Sequence, residues 1–139
     1  MYRLIENIDP YSLEEPDTNP NGLVVFPISH SEGLYVDRVE VPPGMLAIAH
    51  KHSTSEVIHV LHCSIAGVAT FYGPHLEYTI VTHQNQIIQI DKDVPHHVYN
   101  PGKTNVIALR YSALSLNENT ELLPHLDALS RFRIGPWIK

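Results

Sequence analysis

An all-β sandwich or barrel followed by one short C-terminal helix is the fold class the sequence predicts, and three observations predict it. Short runs rich in β-branched and aromatic residues recur every ~8–12 residues between Leu23 and Tyr111. Glycine, proline, asparagine and aspartate punctuate those runs, and nothing of helical period lies between them, so a βαβ order is excluded. Past Asn117 the spacing changes, with Leu122, Leu123, Leu126 and Leu129 falling at helical intervals.

In chain order, residues 1–21 carry Pro10, Pro16 and Pro20 among acidic and amide side chains and read as an irregular leader in which only Leu4 and Ile5 suit an edge strand. The β domain is assigned to 22–116, and the helix and tail packed on it to 117–139. Leu23–Phe26 and Leu34–Val41 are the first strands, joined through the turn residues Ser31, Glu32 and Gly33. In the second, Tyr35, Asp37, Val39 and Val41 share one face, with Leu34, Val36, Arg38 and Glu40 on the other. Pro42-Pro43-Gly44 turns the chain. A strand through His50 and His52, a bend at Ser53-Thr54-Ser55 and a strand from Glu56 to His62 follow. Val68–Tyr72 and Tyr78–Thr82 form a hairpin, and Ile87–Ile90, His96–Asn100 and Val106–Tyr111 complete the set. The helix is expected from about Thr120 to Arg131, with Pro124 in its first turn and its leucines on the β domain.

Bulk properties narrow the function. The 139 residues fit one domain, and 43% hydrophobic with 17% charged residues mark a folded chain. The net charge of −6, with only 9 unclustered lysines and arginines, argues against nucleic acid and anionic membranes and leaves small molecules as the expected partners. Cys63 is the only cysteine, which excludes an internal disulfide and Cys-rich zinc modules. The first residues are too polar for a signal peptide and no apolar run is long enough to span a bilayer, so a cytoplasmic location is expected. Histidine, with 10 copies, is the unusual component.

Those histidines concentrate where chemistry needs them. A single residue separates His50 from His52, so on a strand both imidazoles face the same way, and Glu56 brings a carboxylate within the same seven residues. Imidazole nitrogen with carboxylate oxygen suits Fe, Mn, Ni or Zn better than Ca or Mg. The candidate for a further ligand is His96, which shares a strand face with Val98 and Asn100 while His97 and Tyr99 oppose it.

With these residues in place the sequence resembles the cupin superfamily. Its first motif, G-x5-H-x-H-x3–4-E-x6-G, is met by Gly44, His50, His52 and Glu56, with Cys63 in place of the last glycine. Its second, G-x5-P-x-G-x2-H-x3-N, is met by His96 and Asn100, with Asn85, Asp91 and Asp93 standing at the turn positions. The match runs from about Leu34 to Tyr111. The resemblance implies a cupin-type jelly-roll β-barrel in which His50, His52, Glu56 and His96 converge on one divalent transition metal, and a homodimer.

Three imidazoles and a carboxylate leave coordination positions open, as in catalytic rather than closed structural sites. The expectation is an enzyme transforming a small organic substrate by dioxygenase-like or by Lewis-acid isomerase, cyclase or lyase chemistry. The alternative is a non-catalytic binding or sensing cupin with a structural metal; a metal-free epimerase-like cupin is disfavoured by the full ligand set. Ile48, Ile58, Val60, Ile88, Val98 and Ile107 are expected to form an aliphatic, substrate-binding pocket lining, and no residue beyond the ligands is assigned a catalytic role. His59 and His97 fall on outward parities, and His62 on that of Glu56.

Overall fold

The computed structural model describes residues 9, 11, 16–18, 23–31, 33–45, 47–115 and 119–138. The expected edge strand at Leu4 and Ile5, most of the leader, and Glu32 lie outside them. Strands are β1 (Asp17–Thr18), β2 (Val24–Ser31), β3 (Leu34–Val41), β4 (His50–His52), β5 (Glu56–His62), β6 (Val68–Tyr72), β7 (Tyr78–Thr82), β8 (Ile87–Ile90), β9 (His96–Tyr99), β10 (Val106–Ser112) and β11 (Thr120–Leu122). The helix α1 spans Asp127–Ile134, between 3-10 turns at Pro124–Leu126 and Gly135–Trp137.

Every pairing is antiparallel. One sheet runs β1-β2-β3-β10-β5-β8 and the other β11-β4-β9-β6-β7. The two sheets are separately hydrogen-bonded, so the jelly roll is a sandwich of two open sheets rather than one closed ladder. β6 and β7 form the expected hairpin, in register from Val68 opposite Thr82 to Tyr72 opposite Tyr78.

Strand alternation divides the apolar residues between two cores. Between the sheets lie Leu23, Val41, Ala47, Val60, Cys63, Val68 and Val106, with Val39, Met45 and Val98 packed against them. On the outer face of the second sheet lie Ala49, Ala69, Phe71, Leu76, Tyr99, Leu126 and Ile134, covered by Leu123, Leu129 and Trp137 of the C-terminal segment. The leucines of that segment therefore pack on the sandwich.

The helix is displaced relative to expectation. Thr120–Leu122 is a strand, with Thr120 opposite His52 and Leu122 opposite His50. Pro124 explains the boundary: the residue before a proline is driven out of the α region, and Leu123 takes φ −122 and ψ 68, so helical structure begins at Pro124.

Turn chemistry explains how the unusual residues at the cupin turn positions are accommodated. Gly44 has φ +72. Asn85 and Asp93, where glycine is usual, take φ 68 and 62, the left-handed region that short amide and carboxylate side chains tolerate better than most. A bulge on β5 places His62 opposite Ile107 and Val60 opposite Ala108. The skipped Leu61 shifts the parity, and His62 is exposed instead of facing inward with Glu56.

His97 turns away from the inter-sheet space, as its parity requires, yet it is fully buried beneath the C-terminal segment's side of the sheet. Its ring stacks on Phe71 at 4.9 Å and 7°, and neither ring nitrogen makes a well-formed hydrogen bond among the described residues. Burial, with smaller repulsion from His96 and against a weaker pull from the Val98 backbone, lowers its pKa from 6.5 to about 4. The folded state thus binds its proton less readily than the unfolded chain. His97's contribution is intact above pH 6.5 and is lost as the pH falls toward 4, by about 3 kcal/mol at the limit. Replacing His97 with Phe should remove this part of the acid sensitivity and raise stability at pH 7 by about 1 kcal/mol, because unsatisfied polar atoms leave the core. Urea unfolding of both proteins at pH 7 and at pH 4.5 checks it; parallel pH dependences would refute it.

Candidate metal centre

β4 is a three-residue strand whose alternation sends His50 and His52 between the sheets and Lys51 to the surface, where it pairs with Glu121 at 3.2 Å. β9 lies beside it with His96 directly opposite His50. The ring centroids are 4.8 Å apart for His50 and His52, 4.4 Å for His50 and His96, and 5.1 Å for His52 and His96. Each ring offers a nitrogen within 4.8 Å of the other two. All three residues are at most 3% exposed.

What orients the rings is the backbone. His50 Nδ1 lies 2.8 Å from the Ile48 carbonyl, His96 Nδ1 2.9 Å from the Val94 carbonyl, and His52 Nδ1 3.3 Å from the Asn119 carbonyl. A carbonyl can only accept, so each Nδ1 carries the proton and each Nε2 presents its lone pair inward. This is the arrangement in which metal-binding histidines are held. His52 Nε2 is buried without a hydrogen-bond partner among the described residues. Burial first, then the neighbouring His96 and His52, hold the His50 pKa well below 6.5, which keeps its imidazole neutral as a ligand must be.

Glu56, the first residue of β5, stands beside the triad. Its Oε2 is 3.4 Å from His52 Nε2 and its Oε1 3.5 Å from His96 Nε2. Atoms sharing one ion at ~2.1 Å lie roughly 3–4.2 Å apart, so these separations fit a common ion and the imidazoles need only small adjustments. Burial alone would raise the Glu56 pKa. Its contacts with His52 and His96, and the charge of Arg110 more weakly, outweigh burial and hold it well below 4.5.

Two site residues were not singled out from the sequence. Arg110 is 2% exposed and donates from Nε to Glu56 Oε2 at 2.5 Å, while its Nη1 lies 3.5 Å from Asp37 Oδ2. Asp37 in turn meets His30 Nε2 at 2.6 Å, so a chain of polar contacts runs from the half-exposed His30 to the triad. The signal was present: Arg110 shares its parity with Val106 and Ala108 of β10, and Asp37 shares its parity with Val39 and Val41 of β3. A charge on a buried face implies a buried partner.

Asn119 is a third site residue not singled out, and unlike the other two it carries no sequence signal. Its Oδ1 accepts from the Ser53 backbone at 2.6 Å, the Ser53 hydroxyl at 2.6 Å and the Thr54 backbone at 3.2 Å, and its Nδ2 donates to Thr54 Oγ1 at 2.8 Å. It therefore fastens the bend between His52 and Glu56 while its own carbonyl receives His52 Nδ1. Asn119→Ala should weaken metal binding by about tenfold and stability by about 1–2 kcal/mol. Metal titration with a competing chelator, beside urea unfolding, checks both; unchanged affinity would show that the contact does not position His52.

A cavity of ≈ 60 Å³ opens at the triad. His50, His52, Glu56, His96 and Arg110 form its polar end, and Ile58, Val60, Ile88 and Val98 are among its walls with Leu23, Val39, Val41 and Val106. Ile48, expected on the wall, is 38% exposed and does not line it. Residues 47–49 are not in a strand, Ala47 and Ala49 are the buried ones, and the alternation starts only at His50. Ile107 also lies off the wall, on the β10 parity opposite Val106, Ala108 and Arg110. Asn100 holds backbone, not the cavity: its Nδ2 donates to the Val41 and Thr104 carbonyls at 2.8 Å each and its Oδ1 accepts from Gly102 at 2.9 Å.

The architecture and the triad together define a double-stranded β-helix protein with a candidate metal centre between its sheets. No protein-family model matches the sequence, and no curated protein matches it. Solved structures do. A predicted oxalate decarboxylase from Thermotoga maritima is 16% identical, with a TM-score of 0.64 over 79% of this chain and 100% of its own. A cupin domain from Bordetella pertussis is 18% identical, with a TM-score of 0.56 over 67% of this chain and 94% of its own. An oxalate oxidase solved with the substrate analogue glycolate is 19% identical, with a TM-score of 0.60 over 89% of this chain and 63% of its own. The chain has the cupin fold. Among the described residues no helix is long and apolar enough to cross a membrane.

Proposed function

We propose that this chain is a mononuclear metalloenzyme in which His50, His52 and His96, with Glu56, hold one divalent transition ion, Fe, Mn, Ni or Zn, and a small organic substrate binds beside it. The observation that carries the reading is the convergence of three buried imidazoles whose Nδ1 atoms face backbone carbonyls, with His52 Nε2 lacking a hydrogen-bond partner among the described residues. A bound ion supplies Lewis acidity and, for a redox metal, electron transfer. The protein's own part is positional and electrostatic. Backbone carbonyls fix the rings, Arg110 fixes the Glu56 carboxylate, and the aliphatic walls exclude water and so strengthen every charge interaction at the polar end. Ile58, Val60, Ile88 and Val98 are the proposed contacts for the substrate's apolar part.

The cupin fold of an oxalate oxidase and of a predicted oxalate decarboxylase supports an enzyme over an inert scaffold. Elemental analysis of protein purified without added metal tests the reading first, with near-stoichiometric transition metal as the expected result. Oxygen-consumption and turnover screens with keto acids, diketones and phenols then separate redox from Lewis-acid chemistry. Substoichiometric metal even after loading would refute the metal centre.

A further inference from the structure

We propose that the cavity takes a small monocarboxylate with a short aliphatic remainder, its carboxylate received by Arg110 beside the imidazole triad. The proposal rests on the metal reading above and deepens it to a substrate class. Three features carry it: an unused donor, a charge imbalance and an apolar chamber.

The donor is Arg110 Nη2. It is buried and has no hydrogen-bond partner among the described residues, although Arg110 lines the cavity. In a planar guanidinium, Nη2 lies on the same edge as the Nε–H, the edge that receives a carboxylate through two parallel bonds. Glu56 engages that edge through Nε alone, and Asp37 lies against Nη1. The two N–H groups of Nη2 on this buried cation thus lack an acceptor among the described residues, a costly state that an oxygen ligand relieves.

Charge specifies that ligand as a monoanion. The imidazoles are neutral ligands, so among the described residues a divalent ion and Arg110 face only the carboxylates of Glu56 and Asp37, leaving one uncompensated positive charge at the polar end of the cavity. One carboxylate balances it. Among the described residues no other cationic side chain lines the cavity, and its remaining polar groups are the hydroxyls of Thr70 and Thr82, so the second charge of a dicarboxylate would find no counter-charge.

The chamber specifies the remainder. Away from the polar end its walls include Leu23, Val39, Val41, Val60, Val98 and Val106. The ≈ 60 Å³ equals room for roughly four to six waters, which fits an acid of about that many heavy atoms. A branched three- or four-carbon acid fills it; oxalate, charged at both ends, does not match it.

Zinc-loaded protein, its metal content fixed by elemental analysis, is titrated calorimetrically with isobutyrate, isobutyramide and malonate. Isobutyrate should bind once per zinc, at least tenfold more tightly than either of the others. Arg110→Lys, which keeps the charge and loses the fork, should weaken isobutyrate at least tenfold per zinc bound, the zinc content of the variant being measured first. If that variant does not fold, Val106→Phe provides the second arm: it should weaken isobutyrate at least tenfold while formate binding persists. The proposal is overturned if isobutyrate fails to bind at millimolar concentration, if amide or malonate binds as well as the acid, or if the folded variant leaves isobutyrate unaffected. Failure to take up zinc overturns the metal reading instead, before any acid is added.

Discussion

His96→Ala is expected to lower metal affinity by at least ~100-fold while the sandwich stays folded. If a histidine-rich site contributes on the order of 12 kcal/mol in total, one of four ligands accounts for roughly 3 kcal/mol, which is about two decades in affinity. The fold should tolerate the loss because the pairing of β9 with β4 and β6 is made by backbone, and the one side-chain hydrogen bond lost is local, to the Val94 carbonyl. His52→Ala should behave likewise. The adjacent His97 supplies a control within the same strand: His97→Ala loses packing against Phe71 but no candidate ligand, so it should unfold more easily yet keep its metal. Elemental analysis of the three variants, with unfolding temperature measured with and without added metal, reads the difference. Metal should raise the melting temperature of wild type and His97→Ala, and leave the other two nearly unmoved. Stoichiometric metal in both His52→Ala and His96→Ala would remove these residues from the centre.

Arg110→Met should be the most destabilising single change near the site, by about 3–5 kcal/mol. It strands the carboxylates of Glu56 and Asp37, each at most 3% exposed, without their shared cation. The acid sensitivity should shrink but keep its sign. In the metal-free wild type the Glu56 pKa is held well below 4.5, so its contribution is present above pH 4.5 and is lost as the pH falls through the folded value. Removing Arg110 takes away the weakest of the influences that hold Glu56 ionised and leaves its contacts with His52 and His96 in place. Glu56→Gln added to Arg110→Met should recover part of the loss. A cost under ~1 kcal/mol with the pH dependence unchanged would show that water already compensates these charges.

The succession of strands along the chain and the triad were legible because both depend on short-range regularities. Alternation places His50 and His52 on one face whatever their surroundings, and the opposed parities of His96 and His97 allow only one of them inward. The replaced turn residues left the loop around Asp91–Asp93 open in the sequence; the structure resolves it, because Asn85 and Asp93 hold a positive φ in place of glycine. What could not be read depends on long-range contact. Leu122 and Leu123 keep helical spacing, but Pro124 and the open edge of β4 draw Thr120–Leu122 into the sheet. Asn119 reaches the Ser53–Thr54 bend across more than sixty residues, beyond any local pattern. His97 satisfies the outward parity and is buried all the same, because alternation assigns a face and not what covers it.

The grip of Asn119 on His52 has a consequence for how metal and chain are coupled. The segment that orients this imidazole also forms β11 and leads into the turn and helix that cover the second core, so what tightens one should tighten the other. Occupancy of the centre should therefore slow amide hydrogen exchange at residues 119–123, some of them on the outer rim of the molecule, and cutting the chain before Asn119 should loosen a ligand that lies nearly seventy residues away. The segment from Asn119 onward thus acts as the latch of a site whose histidines lie far earlier in the chain.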